Sequence, residues 1–236
     1  MIEVGHASHT GLRRELNEDS YWADADLGLF LVVDGMGGYG RGEVAAAIAR
    51  DALVDAARAG GPLASAIRKA GEAITTFASS AAGNAPTGAA LALLKIERAQ
   101  YAVARIGDAR VYLRHHGIQQ ALCRGNPHAA LESDPTGEAI AAESDSPSPR
   151  RNRVTQALGI TPPPELCAEP ECGTLERGMQ FLLCSDGLSE ELDDARIAAV
   201  LARTDLAAQE CADHLLLAAL DAGGRDNISV LLVRVS

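Results

Sequence analysis

Two short apolar runs in this chain each end on the same acidic turn. Residues 29–33 (LFLVV) run into Asp34-Gly35, and residues 181–184 (FLLC) run into Ser185-Asp186-Gly187. A continuous apolar run of this length reads as a strand buried on both faces, and the glycine ends it in a tight loop. In a hairpin, an Asp-Gly pair precedes a returning strand. Here helix-like sequence follows each pair instead. Asp226-Asn227 makes a third acidic turn, placed just before the strand-like residues 228–235. Asp34 also opens the run Asp-Gly-Met-Gly-Gly-Tyr-Gly-Arg-Gly-Glu, which holds more glycine than one turn needs.

The rest of the chain alternates in the same way. Apolar residues at helical spacing predict helices over 43–58, 63–78, 194–203 and 207–222. Strands are expected over 89–96, 100–106, 110–114 and 228–235, with Gly107-Asp108 and His116-Gly117 as turn signals. Residues 133–149 are rich in Ser, Pro, Asp and Glu and read as a surface insertion. The 236 residues suit one domain.

Composition excludes several functions. Aromatic residues make up 3% of the chain and the formal net charge is −11. A nucleic-acid backbone would be repelled, and stacking platforms for single strands are missing. No apolar run approaches the ~18 residues of a membrane helix, so no membrane insertion is expected, and a cytoplasmic location is. The five cysteines are odd in number and match no zinc pattern, which predicts reduced thiols. The six histidines are scattered without helical metal-pair spacing and are expected in surface or structural roles.

Carboxylates at strand ends can converge from distant parts of a chain. Several together repel unless cations neutralise them. Oxygen-only ligands favour Mg²⁺ or Mn²⁺ over Zn²⁺, and a neighbouring glycine lets a backbone carbonyl approach the ion.

The motifs and their order resemble those of the bacterial PP2C-type (PPM) protein phosphatases across nearly the whole chain. The segments are Arg14-Glu15-Leu16-Asn17-Glu18-Asp19, Asp34-Gly35-Met36-Gly37-Gly38 with Gly42-Glu43, Gly107-Asp108-Ala109-Arg110-Val111-Tyr112, residues 152–159, Ser185-Asp186-Gly187-Leu188 and Gly224-Arg225-Asp226-Asn227. The resemblance implies an α+β fold: a four-layer αββα sandwich, two antiparallel β-sheets flanked by helix pairs. It implies a single phosphatase catalytic domain over 1–236, with a flap-like insertion at about 124–151. The implied reaction is hydrolysis of phosphoserine and phosphothreonine in proteins by a metal-activated water. Two tight Mn²⁺ or Mg²⁺ ions are implied, with a weaker third. Asp34 would bridge the pair, the Gly35 carbonyl would bind one ion, and Asp186 and Asp226 the other. Asp108 would serve the third ion with Asp186. Glu18 and Asp19 would hold water around the metals, and Arg14 would clamp the phosphate.

Several positions depart from the family pattern. Met36 stands where eukaryotic members carry a histidine, and Tyr39 replaces a histidine common in bacterial relatives. Thr87-Gly88-Ala89-Ala90 replaces a G-T-T segment, Ala109 replaces a serine, and the flap-side Asp-His motif is not clear at 124–128. None of these removes a metal ligand. Arg150, Arg151 and Arg153 read as a solvated charge run or as a docking point for a phosphorylated partner. The implied partners are phosphorylated proteins and a Ser/Thr kinase or its targets, with the enzyme a monomer. A catalytically silent scaffold of the same fold, or a hydrolase of small phosphate metabolites, are the competing readings. A silent scaffold is expected to have lost Asp34, Asp186 or Asp226, and all three are present.

Overall fold

The structure is a computed structural model that describes residues 1–38, 41–80, 86–123 and 156–236. The flap-like insertion, Tyr39, the arginines at 150, 151 and 153, and the segment up to residue 155 lie outside the described residues.

Two five-stranded antiparallel sheets pack face to face. The first has the order β1-β10-β9-β6-β7, built from β1 (Ile2–His9), β10 (Ile228–Val235), β9 (Gln180–Cys184), β6 (Arg110–His115) and β7 (Ile118–Leu122). The second has the order β2-β3-β4-β5-β8, built from β2 (Asp19–Asp24), β3 (Leu29–Gly37), β4 (Thr87–Glu97), β5 (Gln100–Ile106) and β8 (Glu171–Thr174). The expected α+β sandwich is present, and its expected strands form the centre of each sheet. β1, β2, β7 and β8 were not expected from the sequence, and they are the four sheet edges.

Strand alternation divides the core into three layers. Phe30 and Val32 of β3 face the other sheet, where they meet Phe181, Leu183, Leu231 and Val233. Leu29, Leu31 and Val33 face outward onto α1 (Arg41–Arg58) and α2 (Leu63–Ser80). This two-sided burial is why residues 29–33 contain no polar side chain. Ala45, Ala46 and Ala49 are fully buried on α1, and their small side chains let the helix lie close on the sheet. On the opposite face, Leu182, Val230 and Leu232 pack against α3 (Asp186–Glu191), α4 (Asp194–Leu201) and α5 (Ala208–Ala222). Each fully buried leucine contributes about 1.5–3 kcal/mol to this core.

All five cysteines are free thiols, as expected. Among the described residues, no helix is long and apolar enough to cross a membrane.

Candidate functional site

The acidic residues gather at one end of the sandwich. The loop expected at Asp34-Gly35 is instead strand, because both residues stay paired with β4 and β3 runs on to Gly37. Asp34 lies on the same face of β3 as Phe30 and Val32, so its carboxylate points between the sheets where the apolar core ends. Antiparallel pairing sets Asp19 of β2 directly opposite Asp34. Asp186 begins α3 immediately after β9, and Asp226 precedes β10, which pairs with β9. Asp108 precedes β6, on the other side of β9.

The carboxylates are close enough to perturb one another. Asp34 is raised well above the usual carboxylate range, first by burial, then by the charges of Asp19, Asp186, Asp108 and Asp226. Asp186 is pushed up to about 7, by burial and then by Asp108, Glu190 and Asp226, while a side-chain hydrogen bond with Asp34 acts the other way. Burial also pushes Asp19 up to about 6. Asp108 is raised by burial, against the opposing fields of Arg105 and Arg110. Groups titrating this high are held in a site that favours a neutralising cation.

Close backbone approach requires glycine at two points. A Cβ on Gly35 would stand 2.0 Å from the Gly42 carbonyl oxygen, at the start of α1. A Cβ on Gly187 would stand 2.1 Å from the Asn227 carbonyl oxygen, so α3 can press against the Asp226 turn only without a side chain there. This explains both Asp-Gly pairs: the glycines serve packing between segments, not hairpin turns.

Glu18 donates its backbone N–H to Asn227 Oδ1 at 2.8 Å, and its Oε1 accepts from Gly42 N at 3.1 Å. Its carboxylate therefore meets an unpaired backbone donor at the start of α1. Arg14 donates from Nη2 to Asp226 Oδ2 at 2.6 Å, with about half of its side chain exposed beside the cluster. All eight residues expected at the site thus lie at or around one end of the sandwich, with Arg14 engaged on Asp226.

Three residues that hold this arrangement had no role assigned from sequence. Ser185 Oγ donates to Asp19 Oδ2 at 2.8 Å and accepts from Ser229 N at 2.9 Å. Asn227 Nδ2 donates to the carbonyls of Thr10 and Leu16, both at 2.8 Å, pinning the segment that carries Arg14. Glu191, at the end of α3, accepts from both Arg225 N and Arg225 Nε at 2.9 Å, which fixes the turn before Asp226 to the helix that begins at Asp186. Ser185 and Asn227 stand inside the acidic motifs, but spacing carries no signal for their bonds across the fold. Glu191 has no sequence signal.

The donor set is oxygen only, which suits hard divalent cations. Asp19 Oδ1 is buried and carries no hydrogen bond among the described residues, so it has acceptor capacity to give. The residues present therefore fit divalent metal. Among the described residues, the one trio with ligand atoms all within 4.8 Å of one another is His115, His116 and Glu176, so the aspartates spread more widely than around a single ion.

Comparison with known proteins follows the same line. The family model described as protein phosphatase 2C matches residues 12–221. The serine/threonine protein phosphatase PstP of Mycobacterium tuberculosis is 31% identical over 242 residues, covering 100% of this chain and 45% of that protein. The chain thus spans less than half the length of that relative. The serine/threonine phosphatase stp of Listeria monocytogenes is 30% identical over 217 residues, covering 87% of this chain and 83% of stp. Among solved structures, M. tuberculosis PstP superposes with a TM-score of 0.80 at 27% identity, covering 100% of this chain and 99% of that one. A structure of the PstP catalytic domain in complex with two manganese ions gives a TM-score of 0.77 at 27% identity, covering 100% and 99%.

Proposed function

The chain belongs to the protein phosphatase 2C family, and from that premise we propose that it hydrolyses phosphoserine and phosphothreonine in proteins with the help of bound divalent cations. The observation that carries the reading is the convergence at one end of the sandwich of Asp34 in β3, Asp186 at the start of α3 and the loop residues Asp108 and Asp226, whose charges together with burial raise Asp34 and Asp186. The two manganese ions of the related PstP structure support Mn²⁺ as a cofactor, and the oxygen-only donors admit Mg²⁺ equally.

In this reading Asp34, the Gly35 carbonyl, Asp186 and Asp226 would hold the two tight ions, with Asp34 shared between them, and Asp108 with Asp186 would hold a weaker third. When bound, such ions polarise phosphoryl oxygens and make water nucleophilic near neutral pH. The protein's own groups do the rest. Asp19 and Glu18 would accept hydrogen bonds from water around the ions and orient it. Arg14 offers a planar donor fork to the non-bridging phosphate oxygens, beside its contact with Asp226. No side chain is needed as a covalent nucleophile. The substrates are phosphorylated proteins, among them the targets of a Ser/Thr kinase, and the enzyme acts as a cytoplasmic monomer whose catalytic domain is the whole of 1–236.

Release of phosphate from a phosphothreonine peptide tests the proposal. Activity is expected with Mn²⁺ or Mg²⁺ and is expected to vanish on chelation with EDTA. Undiminished turnover by protein shown to be metal-free would overturn it.

A further inference from the structure

The opposite end of the sandwich holds a second group of ligand atoms with different chemistry. His115 ends β6 and His116 follows it in the turn to β7, while Glu176 lies in the connection from β8 to β9. One ligand atom from each comes within 4.8 Å of the other two. Successive residues of a strand point to opposite faces, so neighbouring histidines should diverge. They do not, because His116 has φ of 50°, and its left-handed backbone turns its ring onto that of His115, with centroids 3.8 Å apart. A positive φ is uncommon for a residue with a side chain, although histidine is one of the types that tolerate it. The second observation concerns burial. His115 lies on the face of β6 that carries Val111 and Leu113 into the core between the sheets, and its Nε2 is buried with no hydrogen bond among the described residues. Buried polar atoms of this kind normally have partners.

We propose that His115, His116 and Glu176 form a binding site for a borderline transition-metal cation of the Zn²⁺ class. Two imidazoles and a carboxylate are the ligand types that Zn²⁺, Co²⁺ and Ni²⁺ take, whereas Mg²⁺ prefers oxygen alone. A tetrahedral zinc holds its ligand atoms roughly 3.3 Å apart. Glu176 and His116 are exposed and can close the remaining gap by side-chain rotation. With three protein ligands, water completes the shell. The site is separated from the aspartates by the length of β6, about 20 Å for six residues. Its position suggests what the ion does. The β8–β9 connection passes from the second sheet to the first, and a cation held by Glu176 and the histidines ties this crossing to the β6–β7 turn. Binding to the folded form alone raises stability by mass action.

The test is calorimetric titration of Zn²⁺ into the chelator-stripped full chain in excess Mg²⁺, which competes at the oxygen-only site. The wild type is compared with His116→Asn and Glu176→Gln. Asparagine accepts a left-handed backbone, so the turn survives, and glutamine keeps the size of Glu176. Wild-type protein is expected to bind one more equivalent of Zn²⁺ than either variant, or to bind that equivalent at least 10-fold more tightly. Zn²⁺ is also expected to raise the melting temperature of the wild type more than that of the variants. Should His116→Asn be destabilised without metal, Glu176→Gln decides alone. Identical titrations for wild type and Glu176→Gln would overturn the proposal.

Discussion

Ser185 Oγ lies 2.8 Å from Asp19 Oδ2 and joins the two sheets at the mouth of the sandwich. Ser185 follows β9 of the first sheet, and Asp19 begins β2 of the second. The same hydroxyl accepts from Ser229 N, so one small side chain satisfies a backbone donor and orients a carboxylate. Asp19 in turn stands opposite Asp34. The spacing between the sheets at this end is therefore set by the hydrogen bonds that place the carboxylates.

Replacing Ser185 by alanine leaves Ser229 N and Asp19 Oδ2 without this partner in a buried place. The expected loss is about 1–3 kcal/mol, the cost of an unmet buried polar group. Urea denaturation of Ser185→Ala measures it. A loss below about 0.5 kcal/mol would show that the hydroxyl does not hold the sheets, since a single net hydrogen bond is worth at least that.

Asn227 makes three bonds through its side chain, to Glu18 N, Thr10 O and Leu16 O. Asn227→Ala is expected to cost about 3 kcal/mol, at about 1 kcal/mol for each bond. Amide exchange should quicken over residues 10–18 in particular, because that segment loses its anchor. Asn227→Asp keeps the acceptor for Glu18 N but turns a buried negative charge onto the Thr10 and Leu16 carbonyls, so it should cost at least as much as alanine. Exchange that stays unchanged over 10–18 would mean the segment is held by something else.

The raised carboxylates give metal-free protein a distinct pH response. Burial first, then neighbouring charge, lifts Asp19 to about 6 and Asp186 to about 7, from the 3.8 of an ordinary aspartate. The folded state thus binds protons more tightly than the unfolded state. Their stabilising contribution is complete below about pH 4 and is lost as pH rises through about 6 to 7. Glu191 is held low by Arg225, and its opposing effect falls below pH 4.5, outside that window. In chelator, the melting temperature should therefore fall between pH 5 and pH 7.5. Mn²⁺ should raise it more at pH 7.5 than at pH 5, since metal binding must displace the protons. A flat profile in chelator, with equal metal effects at both pH values, would contradict this.

The sequence showed the middle of each sheet and hid the edges, for a physical reason. β3, β4, β9 and β10 are covered on both faces over residues 29–33, 89–94, 181–184 and 230–233, so those stretches are unbroken apolar runs, and LFLVV or FLLC stands out. β2 reads DSYWAD and is half-buried throughout, and β8 reads ECGT. Edge strands gain their place by pairing along one side, and polar side chains there discourage pairing with other chains. Asp34, Asp186 and Asp226 were legible because each interrupts or borders an apolar strand. The bonds of Ser185, Asn227 and Glu191 were not, because they depend on segments that only folding brings together. The pairing of His115 with His116 was hidden because it turns on one backbone angle.

In the proposed mechanism Asp34 is the carboxylate around which the cations would assemble. The most direct measurement is the turnover of Asp34→Asn on a phosphothreonine peptide at saturating Mn²⁺, with the fold checked by circular dichroism. Asparagine keeps the shape and removes the charge. Removing residues that merely support a metal ligand costs about 10–100-fold, so loss of a bridging ligand is expected to cut turnover by at least about 100-fold. Turnover within a few-fold of the wild type, in folded protein, would show that the catalytic centre lies elsewhere.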